Sequence, residues 1–145
     1  MSKYNRYQLS FQKLFVGIAA LLLSITCFAF PGSEDVAQVT KEIDVYHARQ
    51  NDMKFKEIYN DLHSDIKKVI PEKEFVDHLA KFKESYGLYE SGLLIKSTVS
   101  DAVFGERKVI ILYRSKYAKE TIKEEFTFKK SGDGKWAIAK YAYGI

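Results

Sequence analysis

The chain has 145 residues, of which 46% are hydrophobic and 29% charged, which fits one globular domain and excludes an intrinsically disordered chain. Its formal net charge is +4, but residues 1–32 contain three basic side chains and no acidic one. The remaining residues hold 20 basic and 19 acidic side chains, so the folded part is near neutral and no nucleic-acid partner is expected.

A hydrophobic segment follows the basic amino terminus. Leu14 to Phe30 is a run of 17 mostly apolar residues, ended by Pro31 and Gly32. This order is typical of secretory signals, and the run is shorter than the roughly 20 residues of a spanning helix. Residues 1–32 are therefore predicted to be a signal peptide or membrane anchor. Three alternatives stay open: cleavage after Ala29, retention as an anchor, or lipidation at Cys27. All three place the domain outside the cytoplasm, in the periplasm or cell envelope.

Three amphipathic helices are predicted after this segment. The first runs from about Asp35 to Gln50, with Ser33 as its N-cap. The third begins at Pro71 and stops at Gly87. Their apolar stripes, which we interpret as buried faces, are Val36, Val39, Ile43 and Tyr46; Phe55, Ile58, Tyr59, Leu62 and Ile66; and Phe75, Leu79, Phe82 and Tyr86.

About four strands follow the helices. One lies around Leu93 to Val99, between breaks at Gly92 and Gly105, and the others cover residues 107–117, 121–130 and 135–145. Strands joined by connections this short pair antiparallel. The sequence thus predicts one α+β domain over residues 33–145, with three N-terminal helices packed on a curved antiparallel sheet.

Period-two alternation assigns the faces of the sheet. In residues 121–130, Glu124 shares a face with three large apolar side chains, Ile122, Phe126 and Phe128. Residues 107–117 present Val109, Ile111, Tyr113, Ser115 and Tyr117 on one face. In the last strand, Ala139, Tyr141 and Tyr143 are expected on one face, with Trp136 and Ile138 on the other.

Glu124 is the candidate functional residue, because an unpaired buried carboxylate is costly and needs a partner or a raised pKa. One hypothesis places it in a ligand pocket lined by Tyr113, Tyr117, Tyr141 and Tyr143. The other makes it structural, paired with Arg114, Lys140 or a tyrosine hydroxyl. His78 flanks the stripe of the third helix and joins the candidate pocket.

Motifs for cofactors and metals are missing from the sequence. It contains no glycine-rich phosphate loop, no His-Glu-x-x-His, no paired cysteines and no Gly-x-Ser-x-Gly turn. The histidines His47, His63 and His78 are far apart. We therefore expect no metal, no cofactor and no catalytic residue.

The carboxy-terminal half resembles a known group of domains. The residues that carry the similarity are an inward Glu124 with Phe126 and Phe128, followed by Gly134-Lys135-Trp136-Ala137-Ile138-Ala139-Lys140-Tyr141. In these residues it is similar to small exported bacterial domains of unknown function in the nuclear transport factor 2-like (cystatin-like) superfamily. The resemblance covers roughly Phe55 to Ile145. It implies a cone of helices against a curved sheet with a pocket at the open end. It implies no reaction, because that fold hosts enzymes and non-enzymes.

Three functions are weighed on these observations. The first choice is a non-catalytic binding or accessory module of the cell envelope that recognises a small apolar ligand or a partner protein. The second is a small pocket enzyme that uses Glu124 or His78 for proton transfer. The third is a homodimeric structural or immunity-type protein that pairs through the outward face of the sheet, with Trp136, Ile138, Ile110 and Leu112.

Overall fold

The computed structural model describes residues 32–101 and 106–144, and they form helices and an open four-stranded antiparallel sheet, an α+β fold. The coarse prediction from the sequence is confirmed. The helices are α1 Ser33–Asn51, α2 Phe55–Asp61, α3 Ser64–Lys67 and α4 Glu72–Tyr86. The strands, in the sheet order β1-β2-β3-β4, are β1 Tyr89–Ser100, β2 Lys108–Tyr117, β3 Thr121–Lys130 and β4 Trp136–Gly144.

The predicted export segment and Gly105 lie outside the described residues. Within residues 32–101 and 106–144, no helix has both the length and the apolar composition needed to cross a membrane.

The first helix starts without the predicted cap. Ser33 is already helical, and the N-cap position is held by Gly32 with φ +90° and no side-chain hydrogen bond. A Cβ at Gly32 would lie 2.8 Å from a methyl carbon of Val99 in β1. The close approach to β1 and the positive φ both require glycine there, so the N-cap prediction for Ser33 was wrong.

The second predicted helix is two helices. Leu62 and His63 have extended backbone angles between α2 and α3. The His63 N–H donates to the Ile138 carbonyl of β4 at 2.9 Å, and the His63 Nδ1 accepts from the Asp65 N–H at 3.2 Å, which caps α3. A tertiary hydrogen bond to the sheet therefore breaks a stripe whose spacing alone predicts one continuous helix.

The sheet faces of β2 and β3 agree with the predictions. Val109, Ile111 and Tyr113 of β2 are buried, as are the four alternating residues of β3 that include Glu124. We call this side the inner face, and the helices pack on it. Gly92, predicted as a break, lies inside β1, where a Cβ would come within 2.8 Å of the Tyr113 ring.

The face assignment of β4 was wrong, because a β-bulge shifts its alternation. Phe126 pairs with Tyr141 and Phe128 with Ile138, which leaves Ala139 as the extra residue. The bulge returns Trp136 and Ile138 to the inner face, where both are buried in the same core as Phe128. They are therefore not available for the outward dimer surface expected from the sequence.

Candidate functional site

Glu124 lies at the centre of the inner face, and its side chain is 0% exposed. The sheet register sets its Cα opposite Tyr113 of β2 and Tyr143 of β4. The carboxylate therefore has aromatic residues on both sides and helix α1 above it. Burial at this depth requires that both carboxylate oxygens be hydrogen-bonded.

His47 of α1 supplies the first partner. Its Nε2 lies 2.9 Å from Glu124 Oε2, which requires the proton on Nε2, and the imidazole is itself buried. The ring stacks on Tyr89 at a centroid distance of 3.7 Å and an interplanar angle of 4°. Tyr89, at the start of β1, thus fixes the orientation of the histidine that meets the carboxylate.

Two tyrosine hydroxyls satisfy the second carboxylate oxygen. Tyr117 of β2 donates to Glu124 Oε1 at 2.9 Å, and Tyr141 of β4 donates to the same oxygen at 2.5 Å. The Tyr117 hydroxyl also lies 3.2 Å from Gln50 Oε1 of α1. Side chains from one helix and two strands therefore converge on a single carboxylate.

The electrostatics favour an ionised Glu124. Burial opposes ionisation, but the hydrogen bond and charge of His47 and the hydroxyls of Ser115 and Tyr141 outweigh it, so the pKa of Glu124 lies below its ordinary value. The Ser115 hydroxyl favours the charged form of Glu124, although it is not hydrogen-bonded to any described residue. Burial and the nearby carboxylate raise the pKa of Tyr117 and Tyr141, which keeps their hydroxyls protonated as donors.

The remaining predicted site residues do not join this cluster. Tyr113 is buried beside it but does not donate to the carboxylate. Tyr143 is 36% exposed, and its hydroxyl lies 3.4 Å from Nε2 of His78, which is exposed on α4. The structure thus separates the predicted set into an enclosed cluster at Glu124 and a surface pair.

The partner of Glu124 was only partly anticipated. Tyrosine hydroxyls were among the expected partners, whereas Lys140 pairs instead with Glu125 at 3.4 Å. His47 and Gln50 were missed. Their spacing from Ile43 is four and seven residues, which places all three on one face of α1 and was a usable signal.

Two cavities lie elsewhere, and Glu124 lines neither. One, of about 390 Å³, lies between α1, α2 and the β3–β4 hairpin; the other, of about 670 Å³, lies beside α4 and includes His78. The first has an apolar wall built from Tyr46, Ile58, Leu62, Phe128, Trp136 and Ile138. Charged residues line it as well, among them Glu42, Arg49, Asp61, Lys67 and Lys135.

In the part of the chain that the structure describes, no group of three or more His, Cys, Asp or Glu side chains is arranged to hold a metal ion. No protein-family model matches the chain, and no curated protein matches it. The chemistry of the enclosed cluster and the cavities is therefore the basis for a functional assignment.

Proposed function

We propose that the chain is an exported, non-catalytic binding or accessory module of the cell envelope. The basic start and apolar run of residues 1–32 support the location. Helices that cover one face of an antiparallel sheet support the resemblance to the nuclear transport factor 2-like superfamily and its cone-shaped arrangement.

Cell fractionation with mass measurement tests the export. A chain that starts after Ala29 in the periplasm, a lipidated Cys27 in the membrane, or an intact chain in the membrane each supports export and separates the three alternatives. An intact chain in the cytoplasmic fraction contradicts it.

The cavity between α1, α2 and the β3–β4 hairpin is the proposed ligand site, and it is the observation that carries the proposal. Its volume of about 390 Å³ is within the range of small-molecule sites, roughly 300–1,000 Å³. Its lining combines aromatic and aliphatic side chains, among them Tyr46 and Trp136, with charged side chains of both signs. This arrangement suits a ligand with an apolar body and a polar end.

Anilinonaphthalene sulfonate, which has an apolar body and an anionic end, is the probe for this cavity. Trp136 is the only tryptophan of the sequence and lines the cavity, so energy transfer from it to the probe reports binding at that place. We expect saturable binding of one probe molecule.

A pair of variants makes the probe experiment specific. Val45 lines the cavity and is 41% exposed, whereas Val69 is 74% exposed and does not line it. Val45→Phe should weaken probe binding by about tenfold through lost space, and Val69→Phe should leave it unchanged. Unsaturable binding, or equal effects of the two substitutions, would contradict the proposed site.

The enclosed cluster supports a structural role for Glu124 more than an acid–base role. Every strong acceptor of its carboxylate is occupied by His47, Tyr117 or Tyr141, and the side chain has no exposed surface. A general acid or base must come within hydrogen-bond reach of its substrate. Acid–base catalysis by Glu124 therefore requires a movement that exposes its carboxylate, because Glu124 lines neither of the two cavities.

A homodimer is the second proposal, at the edge of the sheet rather than on its face. β1 is an edge strand with Leu93 62%, Leu94 39% and Ile95 42% exposed. Glu90 and Lys96 are equally far from Leu93 in the sequence. Antiparallel pairing of two β1 strands about Leu93 brings Glu90 of each copy near Lys96 of the other, because the register shifts at Glu90 and Ile95 leave Ser91 opposite Lys96. The nearby opposite charges support a second copy of the chain as the partner.

Charge exchange tests the dimer. Lys96→Glu brings carboxylates of the two copies close together and should shift sedimentation equilibrium from dimer to monomer. The double variant Glu90→Lys/Lys96→Glu restores the opposite charges and should restore the dimer. A wild-type chain that stays monomeric at every concentration, or a double variant that stays monomeric, would remove this proposal.

A further inference from the structure

The outer face of the sheet, opposite the helices, carries an excess of cations. The sheet register places the side chains of Lys96, Lys108, Arg114, Lys116, Lys123 and Lys140 on this side, and all six residues are exposed. Lys129 also lies on this side by register, but Asp65 and Glu106 pair with it. The carboxylates among the six exposed cations are Glu125 on β3 and Glu90 at the edge. We call this surface the cationic face.

The basic residues are concentrated on this face and are not spread evenly over the domain. Of the 20 basic and 19 acidic residues in 33–145, the cationic face holds six and two, which leaves 14 basic and 17 acidic residues for the rest. A domain that is near neutral by count therefore has one positive side, and the rest of the domain is slightly negative. Such a separation produces a field that orients the molecule toward an anionic surface.

Folding does not account for this arrangement. Arg114 of β2 stands directly opposite Lys123 of β3, and Lys108 stands opposite Lys129. Like charges in directly opposite positions destabilise a sheet. Lys129 is compensated by Asp65 and Glu106, but no acidic side chain of the described residues pairs with Lys108, Arg114 or Lys123. These cations lower the stability of the isolated domain, which indicates an anionic partner outside it.

Apolar side chains lie between the cations. Ile110 and Leu112 of β2 point to the outer face and are half-buried, and Leu93 of β1 is 62% exposed beside Arg114. The lysine side chains are longer than the aliphatic ones, so their ammonium groups reach the phosphates while their methylene stems cover the aliphatic groups.

We propose that the cationic face docks on a phospholipid bilayer that contains anionic headgroups. The cations are spread over all four strands and do not converge on one point, which fits a planar array of phosphates and not a single bound anion. Five of the six are lysines, which act as hydrated point charges and are less suited than arginine to bidentate pairing with the carboxylates of a protein. This inference does not depend on the ligand cavity, which lies on the opposite side of β3 and β4.

Amine-reactive labelling of the full-length chain in lipid nanodiscs tests the docking. One set of discs contains phosphatidylcholine alone, and the other an equimolar mixture with phosphatidylglycerol. Mass spectrometry then gives the labelling rate of each lysine. In the anionic discs, Lys116 and Lys140 should react at least about fivefold more slowly than in the neutral discs, because the bilayer covers them. Lys54 and Lys81 of the helical side should react equally in both.

Two triple variants with the same net charge distinguish an effect of the cationic face from an effect of net charge. Removing three cations with Lys108→Gln, Arg114→Gln and Lys123→Gln should weaken docking by roughly 100-fold and abolish the protection of Lys116 and Lys140. Removing three exposed helical cations with Lys56→Gln, Lys68→Gln and Lys73→Gln changes the net charge equally and should leave the protection intact.

Stability provides an independent readout, since loss of the like-charge pair should raise the thermal midpoint of the sheet-face variant. Equal protection of both sides of the domain, or equal loss in the two triple variants, would overturn the proposal. Absence of any protection would also overturn it and would leave an acidic protein surface as the partner that the cations fit.

Discussion

His47 Nε2 and Glu124 Oε2 lie 2.9 Å apart, although 77 residues separate them in the sequence, and both side chains are almost completely buried. The pair joins helix α1 to the centre of the sheet. Because either partner left alone would be an unsatisfied polar group in the core, the two residues should behave as one unit in every measurement of stability.

Replacing Glu124 measures its contribution to folding. Glu124→Gln keeps the shape and one oxygen for the hydroxyls of Tyr117 and Tyr141 but removes the charge, so we expect the free energy of unfolding to fall by about 1–3 kcal/mol. Glu125→Gln, at the next residue, removes an exposed carboxylate and should change it by less than about 0.5 kcal/mol. Urea unfolding measures both. Equal effects of the two substitutions would exclude a structural role for Glu124.

Removing the imidazole of His47 should lower the free energy of unfolding more than removing the charge of Glu124. His47→Ala leaves the carboxylate of Glu124 buried beside a cavity, and we expect the free energy of unfolding to fall by about 3–5 kcal/mol. His78→Ala, at an exposed position on α4, should stay within about 0.5 kcal/mol. In the double variant His47→Ala/Glu124→Gln the second substitution should cost less than it does alone. Additive effects would show that the pair is not coupled.

Acid should weaken the fold through the same carboxylate. The pKa of Glu124 in the folded state lies below the ordinary value of 4.5, so in acid the unfolded chain binds more protons than the folded chain. The stabilisation is present above that ordinary value and is lost as the pH falls toward the folded pKa. The stability difference between wild type and Glu124→Gln should therefore shrink as the pH falls below about 4.5. A difference that stays constant over this range would contradict the lowered pKa.

A methyl group at Gly92 should strain the sheet. A Cβ there would lie 2.5 Å from Tyr89 Oη and 2.8 Å from Tyr113 Cδ1, and the Tyr89 ring is held by its stack on His47. We expect Gly92→Ala to lower the free energy of unfolding by about 1–3 kcal/mol. Gly132→Ala is the control, because no atom lies within 4 Å of the place that its methyl group would take in the β3–β4 turn. A loss for Gly132→Ala as large as that for Gly92→Ala would refute the steric explanation.

The bulge at Ala139 should be indispensable for the core. Deleting Ala139 restores strict alternation in β4 and would turn Trp136 and Ile138 to the outer face. We expect the deletion variant to be unfolded, or to be folded with Trp136 emission shifted to the red and quenched by iodide. A folded variant with unchanged, protected emission would show that β4 can slip without the bulge.

The sequence predicted those parts of the fold that depend on local alternation. The inner residues of β2 and β3 follow a period of two without interruption, so their faces were correctly assigned, and Gly87 ends α4 as predicted, with φ +82°. The errors occur where a distant contact overrides the local pattern. The stripe from Phe55 to Ile66 is interrupted by a hydrogen bond to Ile138, and β4 carries an extra residue that composition does not reveal.

The candidate site was predicted to a similar extent. An acid among large apolar residues identified Glu124 as buried, and an abundance of tyrosines suggested its hydroxyl partners. His47 was not identified as the main partner, because the pairing of a helix residue with one particular strand residue depends on how α1 lies across the sheet. Sequence spacing restricts the face of the helix but not its position above the strands.

The convergence on Glu124 also determines how the domain can open. Helix α1 contributes His47 and Gln50, β2 contributes Tyr117, and β4 contributes Tyr141. If α1 were to lift by itself, the Glu124 carboxylate would lose its imidazole partner while Tyr117 and Tyr141 stayed with the sheet. Fraying of this helix is therefore tied to rupture of the strand pairs on both sides of β3, and slow amide exchange in α1 and β3 should report a single cooperative event.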